Sequence, residues 1–135
     1  MTLTDEEKQA LIRVRLQAAL ESIADAQRSA AAGSWRGAMN RAYYAMFHAA
    51  NALAVANTIV CSKHTHLIGF FQKEFAKPGI LDRRHGRAFQ KAFEDRSEAD
   101  YQDYITFDAE QVATRIQEAE SFVDAICRHL GQSIP

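Results

Sequence analysis

The stretch Trp35-Arg36-Gly37-Ala38-Met39-Asn40-Arg41-Ala42-Tyr43-Tyr44-Ala45-Met46-Phe47-His48-Ala49-Ala50-Asn51-Ala52-Leu53-Ala54-Val55-Ala56 carries two patterns at once. Trp35, Ala38, Met39, Ala42, Met46, Ala49, Leu53 and Ala56 recur every three to four residues, which is the apolar face of a helix. At about 100° per residue, Gly37, Arg41, Tyr44, His48, Asn51 and Val55 fall on a second, narrow stripe away from that face. No charged residue occurs from Ala42 to Ser62, which is long enough to span a bilayer. The run is built on Ala and interrupted by His48, Asn51, Asn57, Thr58 and Ser62, so a helix buried inside the protein is expected, with no membrane.

The flanking sequence punctuates itself. Thr4 with Glu7 three residues on is a capping-box start, and Ile12, Leu16, Leu20 (or Ala19), Ile23, Ala26 and Ala30 continue as one face. Gly33 supplies a stop and Ser34 the next N-cap. After a loop at Asn57–Ser62, Leu67, Ile68, Phe71 and Phe75 mark a third helix that ends at Lys77-Pro78-Gly79. A fourth helix is expected over about residues 82–103 with Phe89, Ala92 and Phe93 inside, its first turn complicated by Gly86. A fifth opens at Asp108 with Gln111 in the capping-box position, carries Val112, Ile116, Ala119, Val123, Ile126 and Leu130, and closes at Gly131. Only six Gly and two Pro interrupt the chain, and no segment alternates as a strand would. The expected fold is all-α, a four- to five-helix up-down bundle with a long N-terminal antiparallel hairpin.

Size and charge exclude several functions. A chain of 135 residues is expected to form one domain. With 47% hydrophobic and 24% charged residues it is not a disordered tail, and a net charge of −1 excludes a globally basic nucleic-acid binder but not a local patch. Two cysteines, Cys61 and Cys127, are too few for a disulfide framework, and the acidic start lacks a signal-peptide pattern, so a reduced, cytoplasmic protein is expected.

Three groups of residues could carry chemistry. On the second helix, Arg41, Tyr44, His48 and Asn51 admit three readings. They are a half-buried face whose polar groups satisfy neighbours, a homodimer face anchored by Tyr and Arg, or a phosphodiester site with Arg41 on phosphate and His48 as base. Arg41 and His48 are seven residues apart, or roughly 10 Å along the axis. One phosphate can therefore meet both only through a long Arg reach or across two subunits. On the fourth helix, Arg83, Arg84, Arg87 and Lys91 come first, and Glu94, Asp95, Glu98, Asp100 and Asp103 follow, opposed only by Arg96. That order runs against the helix dipole; it suits either a phosphate-guiding patch or a solvated helix end. Arg96 and Asp100 are spaced to pair. Third, Cys61-Ser62-Lys63-His64-Thr65-His66 lacks the second ligand pair of a zinc site. There is no Gly-rich phosphate loop, no G-x-S-x-G and no paired-carboxylate motif, so no cofactor or metal is expected.

The block Asn40–Ala50 resembles the signature helix of the HEPN domain (higher eukaryotes and prokaryotes nucleotide-binding). Lys63-His64 followed by Phe71 and Phe75, then Arg96-Ser97-Glu98-Ala99-Asp100-Tyr101, then the Ala/Phe/Val-rich last helix agree with it in order, so the resemblance covers about residues 10–130. It is closest to the small stand-alone prokaryotic branch. It implies a helical bundle, a homodimer and a minimal-nucleotidyltransferase partner in a toxin–antitoxin pair. Active members resemble metal-independent RNases with an R-x4-6-H motif assembled across the dimer. Arg41 and His48 match that spacing, although Ala42 stands where active members carry a polar residue. The resemblance sets the toxin-branch motif R-x4-H-x-Y against the stretch Arg96…Asp100-Tyr101, where Arg and Tyr persist and the His is replaced, and an ionised aspartate repels phosphate. The resemblance therefore implies a homodimer that binds RNA or a nucleotide, with catalysis weak or lost. Asn40, Tyr44, Asn51, Arg96, Asp100 and Tyr101 would bind, and Arg83, Arg84 and Arg87 would guide phosphate. The alternatives are an RNase toxin using Arg41 and His48, and a purely structural dimerisation module.

Overall fold

A computed structural model describes residues 2–61 and 63–132. Five α-helices and no strand are present among them: α1 Asp5–Ala31, α2 Trp35–Ala56, α3 His64–Phe71, α4 Arg83–Tyr101 and α5 Ala109–His129. The expected all-α bundle is observed. None of its helices is long and apolar enough to cross a membrane.

Local chemistry sets the helix ends. Thr4 Oγ1 accepts from the Glu7 amide at 3.1 Å while Glu7 Oε1 accepts from the Thr4 amide at 2.9 Å, and Asp108 and Gln111 do the same at 2.8 and 2.9 Å. Gly33 adopts φ +74°, a left-handed conformation that costs a residue with a Cβ. It lets the Ser34 amide reach back to Ser29 O at 2.8 Å, closing α1 and reversing the chain into α2 within three residues. Ser34 holds the expected N-cap position, but its side chain makes no capping hydrogen bond. The expected loop after Asn57 is seen through Cys61; Ser62 lies outside the described residues.

The bundle is organised around α2. Ala42, Ala45, Ala49, Ala50, Ala52 and Ala54 are wholly buried together with Tyr43, Met46 and Leu53. A helix this apolar on nearly every side belongs at the centre. Its most extensive packing is with α1, and α3, α4 and α5 surround the remainder. Ala19 rather than Leu20 takes the deep position of α1, because small residues let the two backbones approach. Phe71 and Phe122 lie 4.9 Å apart and Phe89 and Phe122 5.0 Å, tying α3, α4 and α5 into one aromatic cluster. Each such side chain, fully buried, contributes about 1.5–3 kcal/mol.

Two departures from the expected helices have physical causes. The third helix does not run regularly to Lys77; after Phe71 it widens into a π turn at Gln72–Ala76, closed by the Lys77 amide on Gln72 O at 2.8 Å. Gly86 sits within α4 because that turn presses against it. A Cβ there would lie 2.8 Å from Ala76 Cβ and closer still to the Gln72 amide oxygen. The Gln72 side chain donates to Gly86 O at 2.7 Å across this contact.

The acidic C-terminal half of α4 finds cations from other helices. Arg36 of α2 donates to Ala99 O, a carbonyl that the end of α4 leaves open, and at 2.6 Å to Ile105 O in the loop that follows. Asp95 accepts from buried Arg115 of α5 at 2.7 Å, and Glu118 takes the Arg115 Nε at 3.3 Å. Removing one side of a buried pair leaves the other charge uncompensated. Asp95→Ala is accordingly expected to lower unfolding free energy by roughly 3 kcal/mol in urea denaturation, with Glu118 retaining part of the interaction. A loss below about 0.5 kcal/mol would show that Arg115 is not held by this carboxylate.

Candidate functional site

The second stripe of α2 forms a shelf at the edge of the core. Arg41, Tyr44, His48, Asn51 and Val55 are all half-buried there, while Gly37 is exposed. Neither a core face nor a solvated face has this intermediate burial along its whole length. Asn40 Oδ1 accepts from Arg41 Nε at 3.1 Å and Nη2 at 2.7 Å, which fixes the guanidinium on the helix surface. From there it stands 5.0 Å from the Tyr44 ring centroid.

Arg96 reaches the same ring from α4. Its guanidinium carbon is 5.3 Å from the Tyr44 centroid and 5.6 Å from that of Tyr43. Asp100 approaches Arg96 Nε at 3.1 Å, yet the buried Nε has no hydrogen bond of proper geometry, so the pair is chiefly coulombic. Two guanidiniums thus lie within 5.3 Å of the centroid of one half-buried aromatic ring, and among the described residues the part-exposed Asp100 is the one carboxylate paired with either. Cation–π attraction of about 0.5–2 kcal/mol each offsets some of their repulsion. The arrangement still has cationic capacity to spare, and an anion between the two arginines would be stabilised by both.

Two imidazoles and a phenol complete the surroundings. His48 lies 6.1 Å from Tyr44 by ring centroids, and its buried Nδ1 has no hydrogen-bond partner. Burial first, then the charges of Arg15 and Arg41, hold its pKa below the ordinary 6.5, so the ring is neutral at neutral pH. His64 opens α3, stacks on Phe47 at 4.5 Å and places Nδ1 2.5 Å from Tyr43 Oη. Burial, then Arg96, lowers its pKa as well. Tyr43 is fully enclosed, and that burial keeps its phenol protonated far above its ordinary range. His85 is also shifted down, by burial and then by Arg84, but it belongs to the opposite end of α4.

Some expected site residues meet and others do not. Asn40, Arg41, Tyr44, His48, Arg96 and Asp100 converge on the shelf. Asn51 lies along the same stripe one turn past His48. Tyr101 ends α4 and projects into solvent, 88% exposed. Arg83, Arg84 and Arg87 stand at the far end of α4, with Arg83 thirteen residues, or about 20 Å, from Arg96. Arg84 turns to Asp82 at 3.9 Å and Lys91 pairs with Asp95 at 3.0 Å, so the basic run is not one patch.

Two contributors were not visible as site residues in the sequence. Arg15 of α1 is half-buried near His48, its Nε enclosed and unpartnered. The hairpin could have located it, since Arg15 precedes the Gly33 turn by 18 residues and His48 follows it by 15. That leaves the two offset by only about one helical turn. His64, read in the sequence only with the Cys61–His66 group and the family resemblance, had no such signal for its partner Tyr43, which lies 21 residues away on another helix.

Sequence comparison gives the chain a family. Residues 12–130 match the HEPN domain family, and the chain belongs to that family. A UPF0332 protein of Thermotoga maritima is 34% identical over 120 residues, covering 89% of this chain and 91% of that protein. A protein of Methanocaldococcus jannaschii that bears the name putative toxin is 36% identical over 129 residues, covering 90% of this chain and 92% of the relative. A second protein of that name from the same organism is 29% identical over 93 residues, covering 69% and 63%.

The neutral histidines give the stability a sign with pH. Above 6.5 both folded and unfolded forms are uncharged; below it the unfolded chain takes up protons first, so stability falls with pH until the folded pKa is reached. His48→Gln is expected to reduce the drop in Tm between about pH 7.5 and pH 5 relative to wild type. An identical drop in both proteins would show that His48 does not titrate differently on folding.

Proposed function

We propose that this HEPN protein is a cytoplasmic homodimer that binds RNA, or the phosphate of a nucleotide, through the α2 shelf. In this reading it is the toxin-type half of a pair with a minimal nucleotidyltransferase. The carrying observation is the half-buried Tyr44 ring flanked by the Arg41 and Arg96 guanidiniums. Unstacked bases bind aromatic and guanidinium planes, and paired arginines hold the adjoining phosphate. The toxin name borne by relatives of similar length supports the biological class. Asp100 supports weak or absent catalysis, because its carboxylate repels a phosphate approaching Arg96.

A second reading is favoured by one specific feature. His48 is neutral, has an unpartnered Nδ1 and lies within the field of Arg15 and Arg41. With Nδ1 enclosed, such an imidazole would accept the proton of a ribose 2′-hydroxyl at Nε2 while an arginine stabilises the developing charge on phosphate. On this reading the protein is a metal-independent endoribonuclease.

Binding and cleavage of a single-stranded RNA in chelator separate these possibilities. Tyr44→Ala is expected to weaken binding by about 1–3 kcal/mol, with little or no cleavage by wild type. Metal-free cleavage that disappears in His48→Ala would replace the binding reading with the RNase one; loss in Arg96→Ala alone would move its centre to α4. No RNA binding at low salt would contradict both and leave a structural dimerisation module.

A further inference from the structure

We propose that a second phosphate-binding groove, separate from the α2 shelf, lies between the π turn and the first two turns of α4. Lys73 and Lys77 form one wall and Arg83 and Arg87 the other, and they hold the sugar–phosphate backbone of the same RNA outside the shelf. The proposal rests on the preceding reading for the identity of the ligand.

An open depression of about 660 Å³ lies between these elements, lined by the four cations, Gln72 and small residues, with no carboxylate in its wall. Among the described residues none of the four is in an ion pair, whereas Arg28, Arg84, Lys91 and Arg128 each have an acidic partner. Asp82 caps α4 by accepting from the Arg84 amide at 2.9 Å and does not line the groove. In a chain of net charge −1, four uncompensated cations around one depression are a marked local asymmetry.

Their spacing sharpens the point. Arg83 and Arg87 are four residues apart on α4, where like charges destabilise a helix, and Lys73 and Lys77 sit in and just after the π turn that faces them. Among the described residues no carboxylate comes within ion-pair distance of either pair, and Asp82 acts on Arg87 only from further off. The fold holds the two walls rigidly. Gly86 admits the π turn against α4, the Gln72 amide bonds Gly86 O, and the Leu81 amide bonds Phe75 O at 3.0 Å. Arg83 Nη2 donates to Lys77 O at 3.0 Å, which ties one cation of each wall to the same place. The groove offers charge without an aromatic platform in its wall, so it suits phosphates and not bases.

Affinity for a mixed-sequence single-stranded RNA of about 20 nucleotides, measured against salt, tests this. The full chain carrying Lys73→Gln, Lys77→Gln, Arg83→Gln and Arg87→Gln is expected to bind at least about tenfold more weakly at low salt. Its log–log salt slope should fall by about 3, from roughly 0.7 per phosphate contact. A control set with Arg13, Arg28, Lys91 and Arg128 changed to Gln removes equal charge and should leave the slope unchanged. Arg83→Lys with Arg87→Lys keeps the charge and should retain the wild-type slope, which separates electrostatics from misfolding. An unchanged slope in the groove set, an equal fall in the control set, or no RNA binding by wild type would each overturn the groove. Arg41→Gln with Arg96→Gln distinguishes the two sites. If binding survives that pair but falls in the groove set, the groove stands and the shelf reading fails; the reverse pattern overturns the groove alone.

Discussion

Close packing of alanines around α2 is the constraint from which the remaining arrangement follows. With Ala42, Ala45, Ala49, Ala50, Ala52 and Ala54 wholly buried, neighbouring helices approach α2 on nearly every side. Interiors are dense enough that one added methylene is felt, so these positions leave little freedom to substitution. What remains for function is the single stripe from Arg41 to Asn51. Its half-burial holds Arg41, Tyr44 and His48 in fixed relation without removing them from solvent. Shelf and core are two faces of one helix.

Electrostatics follow from the same geometry. Arginines of α2 and α4 gather at the Tyr44 ring and Arg15 of α1 lies near His48; among the described residues Asp100 is the one carboxylate in an ion pair with any of them, and burial with that positive field lowers the pKa of His48 and His64. The acidic half of α4 has its charges neutralised locally. Asp95 serves both Lys91 and Arg115, and Arg36 caps the acidic end of α4. The reversed charge order of α4 is thus compensated by its neighbours, and its uncompensated cations face ligand-accessible surface.

Features written in local sequence were legible: the capping boxes at Thr4 and Asp108, the stop at Gly33, and the core faces of α1, α2 and α5. The α2 stripe was legible too, because helical periodicity alone separates it from the core. Features created by contact between distant segments were not. The π turn at Gln72–Ala76 and the need for Gly86 arise together from the contact of that turn with α4. Tyr43 and His64, Arg15 and His48, and Arg36 with the end of α4 join residues whose separation in the chain hides the pairing. The run Arg83–Lys91 read as one patch because sequence gives charge but not direction; helical rotation sends its members to different partners. Family resemblance narrowed the chemistry beyond what any of these residues could do alone.

The central claim is that Arg41 and Arg96, from different helices, act on one anion beside Tyr44. A double-mutant cycle on RNA affinity, with Arg41→Gln, Arg96→Gln and both together at fixed ionic strength, measures that coupling directly. Residues sharing one ligand group are non-additive by about 0.5–3 kcal/mol, so the double variant should lose measurably less or more affinity than the two single losses combined. Additivity within about 0.3 kcal/mol would show that the two arginines act independently, and the shelf would not be a single site.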